Sequence, residues 1–316
     1  MQLRTIGRSS LQVAPLCLGG NVFGWTADEA ASFKILDAAV DAGLNFIDTA
    51  DAYSAWLPGH HGGESETIIG NWLRKRARRK DVVIATKVGL NMPPDRKGLS
   101  ASHIAHSAEE SLRRLNTDHI DLYFAHRDDP SVAFEETLGA FQKLIKDGKV
   151  RVIGASNYTA TRLAEALKTS SEHGLPRFEV LQPLYNLYAR ADYETALEPL
   201  CREQQIGVVT YFALASGFLT GKYRKPEDAA QSARGGGVVA KYLNERGFRI
   251  LAALDDVSRR YGASPASVAL AWQIARPTIT APIASATTVE QVSELVTATK
   301  LTLDQAAIEQ LNFASA

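Results

Sequence analysis

Short, almost continuous apolar runs alternate along the chain with longer stretches whose apolar positions recur every three or four residues. The short runs are Leu16-Cys17-Leu18, Phe46-Ile47, Val82-Val83-Ile84-Ala85, Ile120-Asp121-Leu122-Tyr123-Phe124, Val152-Ile153-Gly154, Glu179-Val180-Leu181, Gly207-Val208-Val209-Thr210-Tyr211 and Ile279-Thr280-Ala281-Pro282-Ile283. Runs of this length and character are predicted to be strands buried on both faces. The longer stretches, at residues 28–42, 64–77, 101–115, 132–147, 159–170, 193–204 and 289–297, are predicted helices. The first carries Phe33, Leu36 and Val40 at helical spacing and stops at Gly43, a residue suited to a helix C-terminus.

Eight strands, seven of them followed by a predicted helix, point to an α/β protein, a parallel sheet closed into a (β/α)8 TIM barrel over a single domain, residues 1–316. An open doubly wound sheet is the competing arrangement. It would carry a GxGxxG turn after its first strand, and Leu18-Gly19-Gly20-Asn21-Val22-Phe23-Gly24 lacks that spacing. Ahead of the repeats, Arg4-Thr5-Ile6 and Leu11-Gln12-Val13 flank Gly7-Arg8-Ser9-Ser10 and are expected to form a β-hairpin plugging the barrel floor. Two segments interrupt the repeat. One is the polar Pro93-Pro94-Asp95-Arg96-Lys97-Gly98 after the third strand, and the other is a long loop after the seventh, residues 224–247. Structureless loops of that length in a barrel are expected to be functional or disordered.

Lysine plus arginine and aspartate plus glutamate are equal at 35 each in 316 residues, so charge balance gives no footprint for nucleic acid or an anionic membrane. Cys17 and Cys201 are the only cysteines, which excludes a disulfide scaffold and a metal site built from CxxC pairs. No apolar run approaches the roughly 18 residues of a membrane helix, and the opening MQLRTIGRSSLQV lacks a signal-peptide core. The expectation is a cytoplasmic protein with a small-molecule partner, neither nucleic acid nor membrane.

In such a barrel, chemistry sits where strands end. The second strand ends in Asp48, with Tyr53 five residues on; the third ends in Lys87, the fourth in His126, the fifth in Ser156-Asn157, the sixth in Gln182 and the seventh in Tyr211. A free phenol, with a pKa of about 10, donates protons poorly at neutral pH. A nearby ammonium would lower that pKa, and Asp48 would hold the ammonium in place. His126 would orient a carbonyl oxygen. The set suits delivery of a proton to an oxygen that turns negative as a hydride arrives, and since no side chain supplies hydride, a nicotinamide is implied.

Several motifs resemble those of the aldo-keto reductase superfamily: Phe46-Ile47-Asp48-Thr49-Ala50-Asp51-Ala52-Tyr53, Gly63-Glu64-Ser65-Glu66, Ala85-Thr86-Lys87, Gly154-Ala155-Ser156-Asn157-Tyr158 and Gly217-Phe218-Leu219-Thr220-Gly221-Lys222-Tyr223. The resemblance covers essentially the full chain and is nearest the bacterial branch related to aryl-alcohol dehydrogenases and potassium-channel β subunits. It implies a (β/α)8 barrel binding NADP(H) across its C-terminal mouth and reducing aldehydes or ketones. It further implies that Tyr53 is the proton donor, Lys87 and Asp48 its tuning pair, and His126 the carbonyl-orienting residue. Ser156, Asn157 and Gln182 would hydrogen-bond the nicotinamide carboxamide, and Tyr211 would stack on the ring. Leu214, Ser216, Gly217 and Lys222 would wrap the pyrophosphate, while Ser285, Thr287 and Gln291 would hold the adenosine phosphate at a helix N-terminus.

The chain departs from the family pattern in places. Phe212-Ala213 stands where Ser-Pro is common, Ser285 where the branch has Gly, Leu295 where it has Asn, and Thr287 where many members place a base for the 2′-phosphate. Arg234 is the candidate to supply that missing cation, because a planar guanidinium can bind phosphate with two hydrogen bonds. NADP is therefore expected, with NAD as the alternative cofactor.

The remaining signals carry less. His60-His61 lies among Gly59, Gly62 and Gly63 and is expected to be a solvated loop, with no metal implied. The basic run from Arg74 to Lys80 is expected at a helix C-terminus, where cations complement the dipole. Gly235-Gly236-Gly237 is expected to give loop flexibility, and Trp25 and Trp56 follow strand ends where they would line a substrate mouth or simply pack. A functional alternative of another class is a cofactor-sensing regulatory subunit like the channel β proteins. The short stretch before the first strand favours the enzyme.

Overall fold

The computed structural model describes residues 1–92 and 98–316. The polar excursion read at Pro93-Pro94-Asp95-Arg96-Lys97 lies outside the described residues. Eight parallel strands close into a barrel in chain order: β3 (Cys17–Gly19), β4 (Phe46–Asp48), β5 (Val83–Val88), β6 (Ile120–Ala125), β7 (Val150–Ser156), β8 (Val180–Gln182), β9 (Gly207–Thr210) and β10 (Ile279–Ala284). The seam is shut by β10 against β3, with Ile283 opposite Cys17 and Ala284 opposite Leu18. The antiparallel hairpin of β1 (Arg4–Thr5) and β2 (Gln12–Val13) precedes it. Ile6, Leu11 and Val13 of that hairpin pack with the inward side chains Cys17, Phe46, Val83, Leu122, Val152, Val180 and Val209, so the hairpin closes the barrel floor.

The outer layer contains α1 (Glu29–Asp41), α2 (Glu64–Arg76), α3 (Ala101–Leu115), α4 (Phe134–Lys146), α5 (Ala160–His173) and α6 (Glu198–Glu203). It continues through α7 (Gly235–Tyr242), α8 (Glu245–Tyr261), α9 (Pro265–Ile274), α10 (Val289–Ala298) and α11 (Gln305–Ala314). Caps explain many of the starts. Asp28, Ser100, Thr159, Ser264, Thr288 and Asp304 each accept a backbone N–H of the first turn. The basic run does end α2, and Arg76, Arg78 and Arg79 then reach Asp37, Asp41 and Asp121.

The structure differs from the sequence reading in three places. The predicted helix at 193–204 enters through a wide π turn, Tyr193–Leu197, before α6, where Pro199 cannot donate to a regular ladder. Helices α8, α9 and α11 were not anticipated. In α9 most positions from Ala266 to Gln273 are buried, so no polar face marks it. Residues 224–247 are also not a bare loop: they hold a 3-10 turn, Pro226–Gln231, and α7. The triple glycine opens that helix rather than loosening a loop. At Gly235 a β carbon would stand 2.0 Å from the Ala229 carbonyl oxygen, so the glycine permits tight packing of backbone on backbone.

Contact of that kind also joins α2 to α3. Alanine inside a helix ordinarily stabilises by about 1 kcal/mol over glycine. At Gly70, however, the added methyl would lie 2.0 Å from the Arg114 carbonyl oxygen. Gly70→Ala is therefore expected to destabilise by about 1–3 kcal/mol. Urea denaturation checks the sign; a more stable variant would mean that α2 and α3 do not meet this closely.

Candidate active site

Period-two alternation builds the site. On β5, Val83 and Ala85 point into the barrel, and Lys87 is the next inward position. The same step takes Phe46 to Asp48 on β4, Phe124 to His126 after β6, Val180 to Gln182 on β8 and Val209 to Tyr211 after β9. On β7 it passes from Val152 through Gly154 to Ser156. The apolar layers below are the barrel core, and the polar layer above them is its C-terminal mouth.

At its centre Lys87 Nζ donates to Asp48 Oδ2 at 2.6 Å, to the Thr49 carbonyl at 2.7 Å and to the Tyr53 hydroxyl oxygen at 2.7 Å. Tyr53 O–H donates to the same Asp48 oxygen at 3.1 Å. Lys87 has no solvent exposure and Asp48 is buried beside it. Burial lowers the lysine pKa and Asp48 opposes that shift. The phenol behaves differently from the sequence expectation. Burial first, and then the charge of Asp48 and the bond to it, push Tyr53 well above the usual tyrosine range, with Arg234 opposing. Burial is the largest cause, and the lowering expected from Lys87 does not offset it. Tyr53 thus keeps its proton through neutral pH, with an ammonium already against the oxygen that would become negative.

His126 completes the mouth, its ring centroid 6.1 Å from that of Tyr53. Burial, followed by Lys87 and Arg127, holds its pKa well below the usual histidine range, which leaves a neutral imidazole. Its Nδ1 has no hydrogen-bond partner among the described residues. Trp56 stands 6.2 Å from Tyr53 and 5.5 Å from Trp25, ring centre to ring centre, so both tryptophans do wall this mouth.

The residues expected at the nicotinamide form one chain of bonds. Gln182 Nε2 donates to Asp48 Oδ1 at 2.8 Å, and Ser156 O–H donates to the Gln182 carbonyl at 2.9 Å. Asn157 Nδ2 donates to the His126 carbonyl and to Ser156 Oγ, and Tyr211 O–H donates to Asn157 Oδ1 at 2.8 Å. Beyond β9 the backbone is left-handed at Phe212, Ala215, Ser216 and Gly217, an unusual run for side-chain-bearing residues and one that aims peptide groups into a concavity. Leu214 accepts the Gly217 and Leu219 amides at this turn. Lys222 Nζ lies beside Gly217 and over the Tyr223 ring at 5.1 Å, with no carboxylate partner among the described residues.

Around the last strand, Ser285 O–H donates to Asn21 Oδ1, and the Thr287 amide and hydroxyl both donate to Gln291 Oε1 at the start of α10. Arg234 stacks on Trp25. Its guanidinium lies 4.6 Å from the Trp25 ring centre, and its charge acts on Tyr53 and Tyr223. No hydrogen bond, ion pair or ring contact joins it to Ser285, Thr287 or Gln291 among the described residues.

Three further contributors have no role assigned to them by the sequence. Asn21 follows the first strand, where its segment registers only as a failed GxGxxG. The Thr49 carbonyl that binds Lys87 carries no residue-type signal. The Gly63-Glu64-Ser65-Glu66 motif supports the mouth: Ser65 bonds the Gly20 carbonyl and accepts from Thr49, while Glu66 accepts from Thr86 and pairs with Arg114 at 2.7 Å. The His61 amide donates to Glu64 Oε1, and no cluster of three or more metal-type ligands occurs among the described residues.

A parallel eight-stranded barrel whose mouth holds a half-buried phenol against a buried ammonium and carboxylate has the make-up of a barrel enzyme. The sequence matches the Aldo/keto reductase family over residues 15–315, and the chain belongs to that family. It is 35% identical to an uncharacterized oxidoreductase, YrpG, of Bacillus subtilis, over 99% of this chain and 95% of that one. It is 35% identical to a probable voltage-gated potassium channel subunit beta of Arabidopsis thaliana, over 93% and 90% respectively. A putative aryl-alcohol dehydrogenase of Schizosaccharomyces pombe is 30% identical over 97% of this chain and 93% of its own.

The neutral imidazole has a measurable consequence. As pH falls below about 6.5, a histidine in the unfolded chain takes up a proton that native His126 refuses, so stability falls with pH by up to about 1.4 kcal/mol per unit from this residue. Above that pH the contribution is constant. His126→Gln is expected to flatten the part of the stability profile between pH 7.5 and 5.5 that this residue causes, as read by urea denaturation at the two pH values. An unchanged slope would mean that the native imidazole titrates normally.

Proposed function

We propose that this protein is an NADP(H)-dependent oxidoreductase that reduces aldehydes or ketones to alcohols, with Tyr53 as the general acid. The observation that carries this reading is the buried contact of Tyr53, Lys87 and Asp48 at the barrel mouth. A nicotinamide bound there supplies the hydride. Tyr53 passes its proton to the carbonyl oxygen as negative charge develops, and Lys87, already on the phenolic oxygen, stabilises the phenolate left behind. His126, neutral, donates an N–H to the same substrate oxygen and orients it. Asp48 keeps the ammonium fixed and through Gln182 ties the acid to the cofactor side.

The residues present fit such a cofactor. Lys222, free of carboxylates among the described residues and set beside the turn of Leu214, Ser216 and Gly217, matches a diphosphate. Ser156, Asn157 and Gln182 would exchange bonds among themselves for a carboxamide, and Tyr211 would support its ring. Ser285, Thr287 and Gln291 meet at the N-terminus of α10, where the helix dipole favours a phosphate. The reading takes residues 1–316 as one domain acting in the cytoplasm on a small-molecule carbonyl compound. The channel-subunit relative supports a second reading, a cofactor-sensing subunit that binds the nucleotide without needing turnover.

Tyr53→Phe removes the proton and keeps the ring. It is expected to lower carbonyl reduction by about 10²-fold or more while NADPH affinity by calorimetry stays within a small factor. Near-normal turnover in this variant would remove Tyr53 from the reaction. A protein that binds NADPH yet oxidises none of it with aromatic, aliphatic or sugar aldehydes would favour the sensing subunit.

A separate expectation concerns residues 224–247. If this segment covers the nucleotide, saturating NADP⁺ slows its cleavage in limited proteolysis and cofactor binds before substrate. Cleavage at the same rate with and without NADP⁺ would show that the segment does not cover it. On cofactor choice, kcat/KM is expected to be higher with NADPH than with NADH, and the reverse order would assign NAD.

A further inference from the structure

The turn of the floor hairpin sets up a cluster of cations at the opposite end of the barrel from Tyr53. Gly7 holds a left-handed backbone, and a β carbon on it would stand 2.4 Å from the Glu179 carbonyl oxygen. This close packing sets the next residue, Arg8, on Glu179, just ahead of β8. Arg177 reaches the same carboxylate from the loop after α5, and Arg151 stands on β7. All three arginines line one open cavity of about 730 Å³, between the hairpin, β7 and the C-terminal ends of α4 and α5. Glu179 is the one acidic residue lining it among the described residues.

The hydrogen-bonding capacity of these guanidiniums is largely unused. Arg8 Nε lies 3.9 Å and Arg177 Nε 3.8 Å from Glu179 oxygens, near enough to pair in charge and too far for a hydrogen bond. The Arg8 guanidinium makes no hydrogen bond among the described residues. Arg177 gives one N–H to the Gln204 carbonyl at 2.8 Å, while its Nε has no partner. Arg151 gives one N–H to Asp121 Oδ1, but that acid lies outside the lining and also pairs with Arg79. Burial lowers the Arg177 pKa, Glu179 opposes the shift and the charge of Arg8 adds to it, as where cations outnumber acids.

Arginines at this end of a barrel can serve the partial negative charge of helix C-termini. Here the end of α5 is closed by its own chain. The Gly174 and Leu175 amides donate to the Ser170 carbonyl, and the Ser170 hydroxyl donates to the Leu175 carbonyl. Of the three arginines only Arg177 serves a helix end, that of α6, with a single N–H. Ile145, Leu167, Leu175 and Pro176, all half-buried, supply apolar lining. The volume lies within the roughly 300–1,000 Å³ of small-molecule sites.

We propose that this floor cavity binds a small organic anion, a carboxylate or phosphate monoester on an apolar body, with Arg8 and Arg177 holding the anion and Arg151 adding charge. A guanidinium meets either group with two parallel hydrogen bonds, and the bound anion offsets the excess positive charge of the lining. The site is separate from the mouth and does not rest on the reductase reading.

The test is calorimetry with three naphthalenes of similar shape: 2-naphthoate, 2-naphthyl phosphate and the neutral 2-naphthalenemethanol. At least one anion is expected to bind about tenfold or more tighter than the alcohol, and to weaken as ionic strength rises. A response to carboxylate alone or to phosphate alone upholds the site and identifies its ligand group. Arg177→Met is expected to weaken the anion about tenfold, with partial recovery in Arg177→Lys. Arg8→Met is expected to weaken it about threefold; Arg8 lies on an exposed turn, so this variant decides the matter if Arg177→Met fails to fold. Lys222→Met, at the mouth, is expected to bind the anion as the wild type does. Hydrogen exchange at the Ser9, Ser10 and Leu175 amides is expected to slow in the complex. Failure of all three compounds to bind would overturn the proposal, as would equal anion binding in the wild type, Arg8→Met and Arg177→Met. So would an alcohol bound as tightly as the anions, or a loss confined to Lys222→Met, which would place the anion at the mouth. No readout depends on turnover, so these outcomes stand whether or not the protein reduces carbonyl compounds.

Discussion

A lysine ammonium with no solvent exposure is held in this barrel by three oxygens, those of Asp48, Thr49 and Tyr53. Desolvating one such ion costs several kcal/mol, and only close, well-directed partners recover it. That requirement fixes much of what surrounds it. The carboxylate must come from the neighbouring strand, and β4 and β5 are registered so that Asp48 lies opposite Ala85, two residues before Lys87. The Thr49 carbonyl must turn inward, and the Thr49 amide is tied back to the Ala85 carbonyl at 2.8 Å. Tyr53 is then brought onto the same ammonium. The strand pairing that closes the barrel and the contact that activates the phenol are one arrangement.

From Asp48 the constraint spreads around the mouth. Its second oxygen holds Gln182, whose carbonyl holds Ser156; Asn157 binds Ser156 and the His126 carbonyl, and Tyr211 binds Asn157. Side chains from β4, β7 and β8 and from the end of β9, with the His126 carbonyl after β6, therefore sit in one hydrogen-bonded network that runs from buried Asp48 out to exposed Asn157, and at its buried end removal of a member leaves polar atoms unpaired. Left-handed backbone occurs within the network at Asn157 and just beyond it after β9. Asn157, Phe212, Ala215 and Ser216 hold left-handed backbone, and Asn186 fastens the Phe212 carbonyl at 2.9 Å. Conformations of this kind persist only where neighbours enforce them, and they gather at binding loops.

The electrostatics of the mouth are divided by position. Inside, Lys87 is matched by Asp48, and the neighbouring imidazole stays neutral. At the rim Arg127, Arg234 and Lys222 have no carboxylate partners among the described residues, so the entrance to a chain of zero formal charge is locally positive. A low-dielectric cleft with that rim attracts anionic molecules, whether nucleotide or substrate.

The alternation of apolar runs and helical stretches, together with the polar residue ending each run, was enough to read the barrel and the layer holding Asp48, Lys87, His126, Ser156, Gln182 and Tyr211. Period two is a local property of the strand, and any inward residue followed two places on by a polar one leads to the mouth. The floor hairpin was legible for the same reason. What the sequence did not determine depended on distant chain segments meeting. The direction of the phenol pKa is not legible in the sequence, because burial is its leading cause and depends on how the whole mouth packs around Tyr53. Helix α9 was missed because it is apolar nearly all round, and Gly235-Gly236-Gly237 suggested flexibility because nothing local shows Ala229 packed on Gly235. The contact of Arg234 with Trp25 was likewise not legible, because it depends on how residues 224–247 fold back over the start of the barrel. Side-chain direction along a strand is local; charge balance and close packing are sums over neighbours that only the closed barrel assembles.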